Sequence, residues 1–177
     1  MSMIVNRRDL DFVLYETLDL EIILESERYA DYDRESLDAM MDLCQTIAED
    51  QFLPCAAKLD ANEPQFVDGK VETISELKEA IGAYQEAGLC ASAYDLDVGG
   101  MQLPWMMDQA LNGMFVCANN PAHIYLFLTQ GVANMLNACG SDELKKKYLP
   151  NLVDGNWFGT MCLSEPQAGS SLADIRT

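Results

Sequence analysis

Residues 159–177, "GTMCLSEPQAGSSLADIRT", hold the side chains and the turn best suited to chemistry in this chain. An apolar run ends in Ser164, whose hydroxyl can donate to or accept from the edge of a flat heterocycle. Pro166 fixes the chain direction. Ala168, Gly169 and Ser170 lack bulk, so backbone N–H groups there can approach a ligand closely, and small-residue turns of this kind form anion nests suited to a diphosphate. A plain strand and turn is the competing reading of the same residues. Elsewhere the chemistry is thin. His123 is the only histidine, carries no local signature of a Ser-His-Asp constellation, and reads as a packed or surface residue near a helix start. There is no G-x-G-x-x-G or P-loop, and the Gly99-Gly100 pair is too weak to stand in for one. Carboxylates are abundant, but nothing in the sequence separates a catalytic one from a solvated one.

The composition narrows the function classes. Eleven basic residues against 29 acidic ones give a net charge of -18, which argues against nucleic acid, since phosphate binding needs a basic face. The simplest consequence of that charge is a strongly solvated surface. No window reaches the roughly 18 uncharged apolar residues that a membrane helix requires. After Arg7 and Arg8 the acids Asp9, Asp11, Glu16, Asp19 and Glu21 interrupt anything that could serve as a signal-peptide core. Cysteines 44, 55, 90, 117, 139 and 162 form no C-x-x-C pair and have no histidine cluster beside them, so they read as reduced thiols and not as metal ligands. A cytoplasmic location is the expectation.

The elements that must position the terminal stretch are helices. Leu10, Val13, Leu14 and Leu18 predict a first amphipathic helix over about residues 9 to 24. Leu37, Met40, Met41, Cys44, Ile47 and Ala48 make a second stripe, which Pro54 should kink or end. "LDANEPQFVDGK" reads as a loop. Thr73 with Glu76 fits a capping box ahead of Ile74, Leu77, Ile81 and Tyr84, and Gly88 is placed to close that helix. After the loop "YDLDVGGMQLP", Pro104 opens a helix carrying Met107, Leu111, Met114 and Phe115. Asn120-Pro121 starts another, with Ile124, Leu128, Val132, Met135 and Leu136 expected inside and Gly140 at its end. Ser141 caps a short helix with Lys145, Lys146 and Lys147 at a solvated end, stopping at Pro150. The methionines read as core packing. The expected fold is all-α: a helical bundle to about residue 156, then Phe158, Thr160, Met161, Cys162 and Leu163 in an extended conformation.

"WFGTMCLSEPQAGSSLADIRT" resembles the segment with which acyl-CoA dehydrogenases enter their middle β-domain. "YLPNLVDGNW" is similar to that family's connector from the helical domain, and "GGMQLP" to its loop of paired glycines. "RRDLDFVLYETL" resembles an extra segment of its longer members. The resemblance implies an N-terminal extension at 1–35, a helical domain at 36–156 and the start of a flavin-binding β-domain at 157–177. It implies that Met161, Cys162, Leu163 and Ser164 lie against the flavin of FAD, that Gly169 and Ser170 approach its diphosphate, and that Ser170 also lies near the acyl-CoA thioester. It places Glu165 in the turn and not as the catalytic base. Met161 stands where many members carry an aromatic, Gln167 where glycine is common and Ser171 where aspartate is common.

The activity so implied is α,β-desaturation of an acyl-CoA: a carboxylate base removes the α-proton while hydride leaves the β-carbon for the flavin. The base is expected on a C-terminal helical domain beyond Thr177, so no catalytic residue is assigned in this chain, which is expected to be the inactive N-terminal part of a longer enzyme. An electron-transfer flavoprotein or similar acceptor and a homo-oligomeric full-length protein are the implied partners. Two rivals belong to other classes: a non-catalytic helical interaction module derived from the same family, and a nucleic-acid-binding relative that the -18 charge disfavours. The cysteine spacing carries its own test. All six thiols should titrate as reduced and metal analysis should find no stoichiometric zinc; a disulfide or a bound zinc would overturn the reading.

Overall fold

The structure, a computed structural model, describes residues 2–177. The predicted first helix is broken. Helix α1 (Arg7–Asp11) widens into a π-helical stretch at Phe12–Thr17, and α2 (Leu20–Leu24) begins only after Asp19 turns left-handed at φ 51°. Aspartate tolerates that conformation better than most residues. The widened turn and the break change the register of the stripe: Leu14, Tyr15 and Leu20 are buried, whereas Val13 and Leu18 are exposed.

Helix α3 (Arg34–Ile47) starts at a reciprocal cap, with Ser36 N donating to Asp33 Oδ1 at 2.8 Å and Asp33 N donating to Ser36 Oγ at 2.9 Å. Its stripe Leu37, Met41 and Cys44 is fully buried. Around Pro54 the chain passes through a π turn and a 3-10 turn before α4 (Ala56–Ala61), so the proline changes the helix type and the chain stays coiled. The expected loop that follows contains a hairpin, β1 (Gln65–Val67) and β2 (Lys70–Glu72), with Phe66 opposite Val71. Asp68 and Gly69 both have positive φ, as a two-residue hairpin turn demands. Helix α5 (Ser75–Glu86) buries Leu77, Ala80, Ile81 and Tyr84, and Gly88 closes it. The Thr73–Glu76 box does not form, because Ile74 takes the cap position and Glu76 pairs with Lys58 on α4 instead.

Helix α6 (Trp105–Cys139) is one coiled run interrupted at Asn119, whose φ of -162° and ψ of 86° are not helical. The break falls where Asn120-Pro121 predicts it. Asn119 fills its own gap: its Oδ1 accepts from Ala122 N at 3.1 Å, and its Nδ2 donates to Phe52 O at 3.0 Å. The first half buries Met107, Leu111, Met114 and Phe115 as expected. The second half does not follow its predicted stripe. Ala122, His123, Leu126, Thr129 and Ala133 face inward, while Ile124 and Met135 are exposed and Leu128 and Val132 are half-buried. Small side chains on the inner face let α7 (Asp142–Val153) pack closely there, through Leu149, Leu152 and Val153. That burial offsets the backbone bond missing at Pro150, so α7 runs a turn past the proline instead of ending at it.

The all-α reading holds, and the hairpin contributes the only regular strands among the described residues. The chain after Trp157 has no strand partner among the described residues, and its single bridge joins Glu165 to Ala168. A strand without a neighbour to pair with is marginal.

A polar chain threads the core. Asp108 accepts from Ser92 Oγ, from Gln109 Nε2 at 3.0 Å and from Asn112 Nδ2 at 3.0 Å. Asn112 Oδ1 accepts from Tyr84 OH at 3.0 Å and lies 3.0 Å from His123 Nε2, which places the imidazole proton on Nε2. His123 is 2% exposed and parallel to the Phe115 ring, and burial pushes its pKa down to about 4. Burial pushes the Asp108 carboxyl up, against three hydrogen bonds that pull it down. Below pH 6.5 an unfolded chain protonates a histidine that the folded chain keeps neutral. His123 should therefore cost the fold about 3 kcal/mol in total between pH 6.5 and 4. An imidazole titrating near 6.5 by NMR would contradict this placement.

Candidate functional site

The terminal stretch is attached to the bundle by three kinds of contact. Gly155 takes φ 73°, and a Cβ there would lie 2.7 Å from Gln85 Nε2, so only glycine fits where Gln85 donates to its carbonyl at 2.5 Å. Trp157 N donates to Asn151 O at 3.0 Å, and its ring lies 6.0 Å from that of Tyr148. Gly159 N then donates to Thr129 Oγ1 at 3.0 Å, while the same hydroxyl donates to Tyr125 O at 2.7 Å. A Cβ on Gly159 would meet Val132 Cγ2 at 2.7 Å, so the backbone lies directly on the helix. Phe158 packs edge-on to Tyr125, and the space left under it beside Leu126, Ala133 and Leu152 is about 10 Å³.

Beyond Gly159 the chain runs along the outward face of α6. Thr160, Met161, Cys162 and Leu163 form one wall of a groove of about 560 Å³; Trp105, Phe127, Leu128, Val132 and Met135 form most of the other. The groove is mainly apolar, although Met161 is 65% and Leu163 44% exposed. Leu128, Val132 and Met135, read from the sequence as core, are this wall. Trp105 and Phe127 were missed altogether. A signal for Phe127 was present: Phe127, Gly131 and Met135 recur at four-residue spacing on a face separate from that of Leu126 and Ala133.

Past the groove the predicted polar residues separate into two groups. Ser164 is exposed and follows directly on the groove wall. Glu165 then pairs its backbone with Ala168 in both directions, at 2.9 and 3.0 Å, around the Pro166-Gln167 tip. Ala168 is buried, and Gly169, Ser170 and Ser171 are exposed immediately after it. The N–H groups of these three find no acceptor among the described residues, and a Cβ built on Gly169 meets nothing within 4 Å. Three successive exposed N–H groups without an acceptor suit an anion in chemical type. Apolar wall, serine hydroxyl and donor row therefore succeed one another along the chain, and these residues fit a flavin dinucleotide in chemical type. Met161, Cys162, Leu163 and Ser164 lie on the groove side of the Pro166-Gln167 turn and Gly169 and Ser170 beyond it.

Glu165, in the turn, has its carboxylate engaged by donors of its own loop. Hydrogen bonds from the Thr177 hydroxyl, from the Arg176 and Thr177 backbone and from Gln167 hold Glu165 at a pKa of about 2. No helix among the described residues is long and apolar enough to cross a membrane.

The bundle has counterparts among known proteins. The profile of the acyl-CoA dehydrogenase N-terminal domain matches residues 34–156. A butyryl-CoA dehydrogenase of Syntrophomonas wolfei is 30% identical over 96% of this chain and 28% of its own length. The broad-specificity linear acyl-CoA dehydrogenase FadE5 of Mycobacterium tuberculosis is also 30% identical, over 97% of this chain and 28% of its own length. The chain thus spans under a third of these relatives. A solved structure from work on the electron transferring flavoprotein of Acidaminococcus fermentans superposes with a TM-score of 0.64 over 81% of this chain and 35% of its own, at 21% identity, which is a likeness of fold. With the domain profile covering residues 34–156 and relatives aligned along nearly the whole sequence, the chain belongs to the acyl-CoA dehydrogenase family.

Proposed function

We propose that the chain is the N-terminal portion of an FAD-dependent acyl-CoA dehydrogenase that desaturates the α,β bond of an acyl-CoA thioester. The observation that carries this reading is the succession of apolar groove, Ser164 hydroxyl and unpartnered Gly169–Ser171 amides along one segment clamped to α6. When bound, FAD supplies the acceptor for hydride. Ser164 Oγ is assigned to the edge of the ring and the Gly169 and Ser170 amides to the diphosphate, with Ser170 also at the thioester end of the substrate. Met161, Cys162 and Leu163 give the ring an apolar wall. Trp105, Phe127 and Met135 offer an aliphatic chain a surface from which water is displaced.

The base is assigned to a part of the enzyme outside residues 1–177, as the resemblance to acyl-CoA dehydrogenases implies; within the chain, Asp108 is buried in its own hydrogen bonds and Glu165 is engaged by four donors. A soluble cytoplasmic enzyme, homo-oligomeric and passing electrons to an electron-transfer flavoprotein or similar acceptor, completes the proposal; the membership in a family of acyl-CoA dehydrogenases supports it.

Two measurements test it. In the longer enzyme, Ser164→Ala should weaken FAD binding by about 1 kcal/mol, roughly fivefold, the usual net value of one hydrogen bond. An unchanged affinity and flavin spectrum would remove Ser164 from the site. The 177-residue chain by itself supplies one edge of that site, so it should purify colourless and show no turnover with added FAD and an artificial acceptor. Stoichiometric FAD with turnover from this chain alone would contradict the division of labour.

A further inference from the structure

Glu165 is the one residue of the terminal loop that bonds across it. Its Oε1 accepts from Thr177 N at 3.0 Å and from the Thr177 hydroxyl; its Oε2 accepts from Arg176 N at 3.1 Å and from Gln167 Nε2. Its backbone is fixed at the same time by the two bonds to Ala168. Between Ala168 and Arg176 the remaining bonds are local: Leu172 N to Ser170 O, Asp174 N to Ser171 O and Ile175 N to Leu172 O, at 3.1, 3.0 and 3.4 Å. Among the described residues no other hydrogen bond spans this loop, and none ties it to a helix.

We propose that Glu165 is a positioning residue: its carboxylate closes residues 165–177 into a ring and so presents the Gly169 and Ser170 amides in a fixed arrangement. The proposal rests on the reading that these amides receive the cofactor diphosphate. The chemistry favours a fastener over a ligand. A bare carboxylate beside a diphosphate would repel it, whereas this one has its lone pairs turned to four donors within the loop. It grips the backbone N–H groups at 176 and 177 together with the Thr177 hydroxyl, and not the Arg176 guanidinium, so two of its four bonds do not depend on which side chains those positions carry. Fixing a loop before binding removes ordering cost at the moment the ligand arrives.

The test uses the ¹⁵N-labelled 177-residue chain with Glu165→Ala and Glu165→Gln. Glu165→Ala should raise amide exchange at Arg176 and Thr177 at least tenfold and move the Gly169 and Ser170 resonances toward random-coil positions. Glu165→Gln, which keeps one neutral acceptor oxygen, should recover part of both effects. A carboxylate held well below its usual range keeps the ring closed above that range and releases it as pH falls toward about 2; the Gln variant should show no such transition. Unmoved His123 resonances would show that the bundle is intact. In the longer enzyme, an FAD titration should find Glu165→Ala binding severalfold more weakly than the parent protein. If the Gly169 and Ser170 resonances stay in place in Glu165→Ala, the proposal fails. If they move but Glu165→Ala leaves the FAD affinity of the longer enzyme unchanged, the cofactor reading fails and the positioning role of Glu165 stands.

Discussion

A threonine hydroxyl inside α6 holds the segment on which the proposed chemistry depends. Thr129 is 5% exposed and uses its oxygen twice, donating to Tyr125 O one turn back and accepting the Gly159 N–H. A valine of the same shape would pack as well and bind nothing, leaving the Gly159 amide without a partner. From that point the backbone of the terminal stretch takes its direction along the helix. The groove exists because Thr160–Leu163 is held parallel to a face that the bundle leaves uncovered. Gln85 and Asn151 secure the chain just before it, so the direction is set by three separate elements and not by the loop's own sequence.

The second half of α6 is apolar on two sides, and the division between them explains its role. Ala122, His123 and Leu126 face the main core, while Ala133 faces α7 and Thr129 takes the bond from the terminal stretch. Larger side chains face outward and line the groove. The break at Asn119 separates this half from the tightly packed first half, and the buried asparagine ties the break to the turn at Phe52. Beneath it, the hydrogen-bonded line from Ser92 to His123 fixes α5 and both halves of α6 in one register, at the expense of burying a carboxyl and an imidazole. Gln109 belongs to both regions: its amide bonds Asp108, and it lines the groove.

Much of this was legible in the sequence because it depended on local chemistry. The stripes of α3, α5 and the first half of α6, the break near Pro121 and the Ser141 cap follow from spacing and residue type. The terminal motif stood out through its small-residue turn and its resemblance to a family segment, and its assignment to a cofactor belongs to the proposal. The apolar stripe at Ile124, Leu128, Val132 and Met135 misled, since periodicity shows that a face is apolar and not which neighbour covers it. The hairpin at Asp68-Gly69 carried a readable turn signal that the surrounding polar residues obscured. The π-helical widening at Phe12–Thr17 and the partners of Glu165, 11 and 12 residues away, had no local signature.

The central claim is that residues after Gly155 are docked on α6 by the Thr129–Gly159 bond and do not hang free. Hydrogen exchange at the single Gly159 amide reads this directly. The account predicts an amide protected at least tenfold relative to an unstructured peptide in the parent chain, with that protection lost in Thr129→Val while the amides of α3 and α5 are unaffected. A Gly159 amide that exchanges at the unstructured rate in the parent chain would contradict it.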